Sequence, residues 1–233
     1  MNSSPSIHRS PARVSCALVL SALLALLVSI LPSFAADQVP AVKQSSSSTN
    51  APLKELFDGK TLTGWKVSDF AGKGEVTVKD GRITLEAGHT TGITWTNAND
   101  LPRMNYEISL EAMRVEGGDF FCGLTFPVAK DPCSLIVGGW GGGVVGISSL
   151  DGQDAANNET TKYVSFKNGQ WYQIRLRVTE RKIQAWIDAD KVVDVDTSEK
   201  TISIRPEVED SQPLGIAAWS TTAALRNIRL RKL

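Results

Sequence analysis

Four side chains in this chain have the chemistry for proton transfer: Asp119, Glu107, Glu159 and His89. A general base must be a carboxylate or imidazole within hydrogen-bond reach of the proton it takes. Spacing alone singles out none of the four. His89 is the only histidine beyond residue 35. A His-rich zinc site or a Ser-His-Asp triad therefore has little to build on. His89 follows Gly88 in an expected loop, where the default role is a solvated one.

Binding chemistry is signalled more clearly. Trp140 stands among Gly138, Gly139, Gly141, Gly142 and Gly143. This is no nucleotide loop, because a Lys-Ser/Thr pair and a following helix are both missing. Either a ligand approaches bare backbone with Trp140 as a platform for the apolar face of a sugar, or the tract is a glycine-rich hairpin with Trp140 filling the core. Trp186 falls on a polar strand face beside Gln173, Arg175 and Gln184. It suits sugar stacking there, or plain cross-strand packing over Arg177. Trp140, Trp186, Arg175 and Gln173 are the candidate ligand contacts. Glu107, Glu111, Arg175 and Arg177 share one face, as a cross-strand ion ladder or as partners for sugar hydroxyls. In the segment 151–159, Asp151, Asp154, Asn157 and Glu159 offer oxygen ligands of the kind a divalent cation such as calcium takes. The spacing is not that of an EF-hand, and an ordinary polar loop reads the same way.

The elements that must position these residues are strands. Asp80-Gly81 between Val76–Lys79 and Arg82–Leu85 predicts a hairpin, since both residues accept positive φ. Tyr106, Ile108, Leu110 and Ala112 alternate with Asn105, Glu107, Ser109 and Glu111. Tyr172, Ile174, Leu176 and Val178 repeat the pattern, as do Ile183, Ala185 and Ile187. Clean period-two alternation means antiparallel sheets with one wet face. Phe120–Phe126 and Ser134–Val137 are more apolar, as central strands would be. No helical period runs over three turns after residue 36. The class is all-β, a two-sheet antiparallel sandwich.

Cys122 and Cys133 flank an expected turn at Val128–Pro132. Hairpin symmetry places Cys122 opposite a residue near Val137. A disulfide would need a bulge or skewed register; the alternative is two small buried hydrophobes.

The first 35 residues read as a secretory signal peptide: His8, Arg9 and Arg13 precede an apolar run from Val14 to Leu31, and Pro32-Ser33-Phe34-Ala35 supplies a cleavage site. About 18 apolar residues would also suffice for an uncleaved anchor. Residues 36–52, with four consecutive serines, read as a flexible linker, and residues 53–233 as one domain. Removing Arg9 and Arg13 from 25 basic residues leaves 23 against 25 acidic, a net charge of −2. No basic stripe is present to neutralise phosphates, which excludes nucleic acid as a partner. The implied location is exported, with no stable membrane span once the signal is cut.

Six short motifs in order carry a family resemblance. They are Leu56-Phe57-Asp58-Gly59-Lys60-Thr61-Leu62-Thr63-Gly64-Trp65, Lys79-Asp80-Gly81-Arg82, Tyr106-Glu107-Ile108, the pair Trp171-Tyr172-Gln173-Ile174 and Ile183-Gln184-Ala185-Trp186-Ile187-Asp188, and the terminal Arg226-Asn227-Ile228-Arg229. Together they resemble the 3-keto-disaccharide hydrolase domains, exported sandwiches with a concanavalin-like jelly-roll fold. The resemblance implies a carbohydrate ligand and hydrolysis through deprotonation beside a 3-keto group, with elimination and then hydration. The family's Asn-Ser-Gly and Tyr-Glu-x-Gln elements are replaced here by Gly117-Gly118-Asp119-Phe120 and Ser134-Leu135-Ile136-Val137, so it carries over no catalytic residue. A non-catalytic lectin-like module and a structural cell-surface domain stand as alternatives on the same sandwich.

Overall fold

The computed structural model describes residues 52–233. The expected signal segment and all of the linker but Pro52 lie outside the described residues. Fifteen strands make up almost all the regular structure. They are β1 (Lys54–Glu55), β2 (Trp65–Val67), β3 (Val76–Lys79), β4 (Arg82–Leu85), β5 (Thr90–Trp95), β6 (Tyr106–Gly117), β7 (Cys122–Val128), β8 (Asp131–Gly139), β9 (Val144–Ser148), β10 (Lys162–Tyr163), β11 (Trp171–Val178), β12 (Lys182–Ile187), β13 (Asp190–Asp196), β14 (Gly215–Trp219) and β15 (Thr221–Lys232). Two short 3-10 turns, Ala98–Asp100 and Pro206–Ser211, are the only helical pieces among the described residues.

The strands form two antiparallel sheets. One runs β13-β12-β11-β6-β15-β4-β3, with β1 also on β15; the other runs β10-β9-β8-β7-β14-β5-β2. The alternation read from the sequence sets the register of the first. Tyr106, Ile108, Leu110 and Ala112 of β6 stand opposite Val178, Leu176, Ile174 and Tyr172 of β11. All eight are buried. They face Cys122, Leu124, Phe126, Leu135, Val137, Val145 and Ile147 of the second sheet in one continuous core. Asp80 and Gly81 take φ of 53° and 74°, as the predicted hairpin requires.

The opening and closing motifs are fold residues. Leu56 N–H donates to Ile228 O at 2.8 Å, and Trp65 Nε1–H to Leu56 O at 2.7 Å. The Trp65 ring meets Trp95 edge to face at 5.2 Å. Asn227 sits within β15 at a bulge against β6, with φ of 53°. Asn tolerates this left-handed conformation better than most residues. The bulge turns Ile228 into the core at 1% exposure.

Cys122 and Cys133 are free and buried. Cys122 does stand opposite Val137, and Cys133 opposite Phe126. Four residues of strand, about 13 Å, therefore separate the two, too far for a disulfide. Burial pushes both thiols up to about 12, so they behave as small hydrophobes.

The outer face of the second sheet is unusual in its lack of bulk. Gly92, Ala217, Gly123, Ile136 and Gly146 form one row across β5, β14, β7, β8 and β9. A Cβ on Gly92 would come within 3.0 Å of the Phe70 ring, one on Gly123 within 3.0 Å of Phe120, and one on Gly146 within 2.9 Å of Ala155 O. These positions are bare because other chain segments lie on them. Phe70, Phe120, Ala155 and Val208 form a second, smaller apolar cluster there with Ile136, Val144 and Ala217.

Candidate functional site

The neighbouring row on the same outer face is polar: Thr94, Gly215, Thr125, Ser134 and Ser148. Thr125 and Ser134 share a hydrogen bond of 2.9 Å. Ser148 is 1% exposed, and its Oγ has no partner among the described residues. A buried hydroxyl left unpaired costs about 1–3 kcal/mol, a cost that a ligand hydroxyl would offset.

Ser134 and Ser148 lie at the floor of a cleft of about 240 Å³, walled by Asp119, Phe120, Ile136, Trp140, Arg205, Glu207, Val208 and Trp219. Its size is below the ~300–1,000 Å³ of drug-sized sites, which suits a single sugar ring. The lining is largely apolar with a few convergent polar groups, the usual make-up of a small-ligand site.

Asp119 enters from the segment between β6 and β7. Its Oδ1 accepts the Phe120 N–H at 2.7 Å, and its Oδ2 accepts the Gly141 N–H at 3.1 Å. Two backbone amides thus hold the carboxylate in one orientation beside Trp140. Arg205 forks onto Glu207 through Nη2 (2.6 Å) and Nε (3.3 Å), and Nη1 donates to Asp154 at 3.1 Å. The Arg205 hydrogen bonds hold the Glu207 carboxyl below its usual range. Glu207 is therefore ionised at neutral pH and a poor proton donor.

Trp140 occupies the four-residue turn between β8 and β9 and is 45% exposed. The tract is a glycine-rich hairpin turn, as one of its two readings expected, but Trp140 does not fill the core. Trp140 has φ of 49°, a left-handed conformation that costs a side-chain-bearing residue roughly 1 kcal/mol. Arg114 holds the turn from below: buried, it donates to Gly142 O (3.2 Å), Phe166 O (2.8 Å) and Asn168 Oδ1 (2.7 Å). Trp219 lines the far side of the cleft. Its ring contacts Phe120 at 6.3 Å and His89 at 4.1 Å between centroids. His89 is exposed and reaches the cleft only through Trp219.

The other candidates lie elsewhere. Glu107 is nearly buried on the outer face of the first sheet. It accepts from Arg175, Arg177 and Arg231 at 2.7–3.2 Å, which makes it the centre of an ion ladder and not a free base. Trp186 stands directly opposite Arg175, whose guanidinium covers its ring at 3.8 Å. The face that would carry a sugar is thus occupied by a cation, and by Arg175 more than the expected Arg177, at 5.6 Å. Gln173 and Arg175 line a separate shallow hollow with Glu111, Asp188, Asn227 and Arg229.

The loop carboxylates do not converge. Asp151 and Glu159 both pair with Lys200, at 3.1 and 2.6 Å. Asp154 pairs with Arg205, and Asn157 donates to Asp154. Among the described residues no cluster of three His, Cys, Asp or Glu is placed to hold a metal ion. The donor set proposed for calcium is thus spent on cations of the chain itself and does not fit one.

Of the sequence candidates, then, the fold brings Asp119 and Trp140 together. Trp219, Arg205, Glu207, Ser134 and Ser148 join them unannounced. Their one signal was the run of Gly, Ser and Thr at alternate positions of the second sheet.

The chain matches no curated protein. Among solved structures it is similar to a candidate glycosyl hydrolase from Parabacteroides distasonis. That pair shares 14% identity over 78% of this chain and 94% of that one, with a TM-score of 0.52. It is also similar to the Crh5 transglycosylase in its apo form, at 12% identity over 78% of this chain and 84% of that one, with a TM-score of 0.53. Likeness at such identities carries the jelly-roll fold and nothing finer. The sequence itself matches the model of one domain family from residue 52 to residue 231. On that match the protein belongs to the 3-keto-alpha-glucoside-1,2-lyase-like domain family.

Proposed function

We propose that the protein is an exported glycan-directed domain that takes a 3-keto-glycoside in the cleft of its second sheet. The observation that carries this reading is the meeting of an oriented carboxylate, Asp119, with two tryptophans, Trp140 and Trp219, over a floor of serine hydroxyls. The apolar face of a pyranose packs on an indole. The Ser148 hydroxyl supplies a polar partner that the protein leaves unused.

The 3-keto group acidifies the adjacent C2–H. Asp119 removes that proton, the electron pair forms the C1–C2 double bond, and the glycosidic oxygen departs from C1. The Arg205 guanidinium in the cleft wall favours the negative charge that develops on the keto oxygen. Glu207 is ionised and does not serve as the acid, so the departing oxygen takes its proton from solvent at the open mouth. Water then adds across the double bond, for net hydrolysis. A second reading is lectin-like binding without turnover. It is favoured by the backbone amides that each Asp119 oxygen already accepts, which stabilise the carboxylate and make it a weaker base.

Trp140→Gly tests the cleft in either reading. Glycine adopts positive φ without strain, so the melting temperature should hold or rise. Affinity for a 3-keto-glucoside should fall roughly tenfold with the loss of one stacking contact. Unchanged affinity in a folded variant would remove the cleft from consideration.

Export rests on the basic, apolar and small-residue pattern of residues 1–35. Mass spectrometry of the protein recovered from its host should find Ala36 as the first residue. A mature chain still carrying residues 1–35 would contradict cleavage.

A further inference from the structure

Arg205 presents a fork of N–H donors on the cleft wall. Pro206 follows it, and the residue before a proline is held extended; Arg205 takes φ of −80° and ψ of 143°. The proline ring fixes the next step of the chain, so Arg205 and Glu207 stand on either side of a rigid link. Along one edge of a guanidinium, Nε–H and Nη2–H match the two oxygens of a carboxylate. Glu207 fills that edge: Nη2 donates to Oε1 at 2.6 Å and Nε to Oε2 at 3.3 Å.

The two partners of Arg205 are held differently. Its Nη1 donates to Asp154 at 3.1 Å, and Asp154 is itself fixed by the Ala156 N–H at 3.0 Å and the Asn157 amide at 2.8 Å. Asp154 therefore keeps the guanidinium in place without Glu207. The Glu207 side chain bonds to no other residue than Arg205 among the described residues. Both side chains of this pair are 41% exposed, and an ion pair so open to water contributes little to folding. Its effect falls on what enters the cleft.

We propose that Glu207 is a specificity residue of the cleft, turning away sugar rings that bear a carboxylate. It occupies the one group on the lining that would bind such a ring. With Asp119 it also sets two carboxylates against one guanidinium there. An acidic ring meets a filled fork and like charge, which is rejection by a built-in repulsive element. The proposal rests on the cleft reading above.

The test is stopped-flow tryptophan fluorescence on the whole protein, read before turnover. It uses two probes: methyl 3-keto-α-glucoside, and the same glycoside with C6 oxidised to a carboxylate. The wild type should bind the neutral probe roughly tenfold more tightly, the scale of one charge-assisted pair at a half-exposed site. Glu207→Ala empties the fork. It should raise affinity for the acidic probe roughly tenfold and change neutral binding only about threefold or less. Glu207→Gln keeps an acceptor for Arg205 but no charge, and should fall between. Adding Arg205→Gln to Glu207→Ala should abolish the gain. Equal wild-type affinity for the two probes, no gain in Glu207→Ala, or a gain that survives Arg205→Gln overturns the proposal and leaves the cleft standing. If neither probe binds the wild type or Glu207→Ala, the cleft reading fails and the proposal with it.

Discussion

Asparagine in place of Asp119 is expected to slow aglycone release from a 3-keto-glycoside by about 10²–10⁴-fold, the usual contribution of a positioned general base. The substitution is nearly isosteric. Asn Oδ1 can still accept the Phe120 N–H, while its amide meets the Gly141 N–H and loses that bond. Sugar affinity should therefore change only a few-fold, because Trp140, Trp219 and the serine floor remain. Steady-state kinetics with direct titration separate the two effects: kcat should collapse while binding persists. A variant that keeps its kcat would show that the proton leaves to another group.

The largest expected effect on stability lies far from the cleft. Glu107→Gln should destabilise the fold by about 3 kcal/mol, a large part of the ~5–15 kcal/mol that holds a typical domain together. The Glu107 side chain is 7% exposed and serves three arginines, Arg175, Arg177 and Arg231. Removing its charge leaves three guanidinium groups facing one another across β11, β6 and β15. The arginines keep about a third of their side chains in water, so they partly resolvate, and the cost falls at the lower end for a broken buried pair. Urea denaturation reads it directly. A loss under about 1 kcal/mol would mean the ladder is no stronger than surface pairs. Because Glu107 lies on the other sheet, turnover per folded molecule should not change.

These two residues show what the sequence could and could not disclose. Alternation in Tyr106–Ala112 and Tyr172–Val178 placed Glu107, Arg175 and Arg177 on one face, since period two needs no long-range information. The three-to-one stoichiometry could not be read, because Arg231 reaches Glu107 only through the pairing of β15 with β6. The same alternation puts Trp186 outside, but the cation on its ring follows from the Arg175 register. Asp119 and Trp140 were visible as single residues beside glycines. Their partners come from β9, β14 and the 3-10 turn at Pro206–Ser211, segments joined only by the order of the second sheet. The Gly-Ser-Thr pattern of that sheet reads as weak strand until the outer layer of Phe70, Phe120 and Val208 explains why it must be small.

The central claim is that the cleft around Asp119 breaks a 3-keto-glycoside. The most direct measurement incubates the purified protein with a chromogenic 3-keto-α-glucoside and follows aglycone release, with Asp119→Asn and Trp140→Gly alongside. The account predicts release by the wild type, little or none by Asp119→Asn, and a raised KM for Trp140→Gly. Tight binding of the glycoside by the wild type with no release would contradict it, and would make the cleft a lectin site.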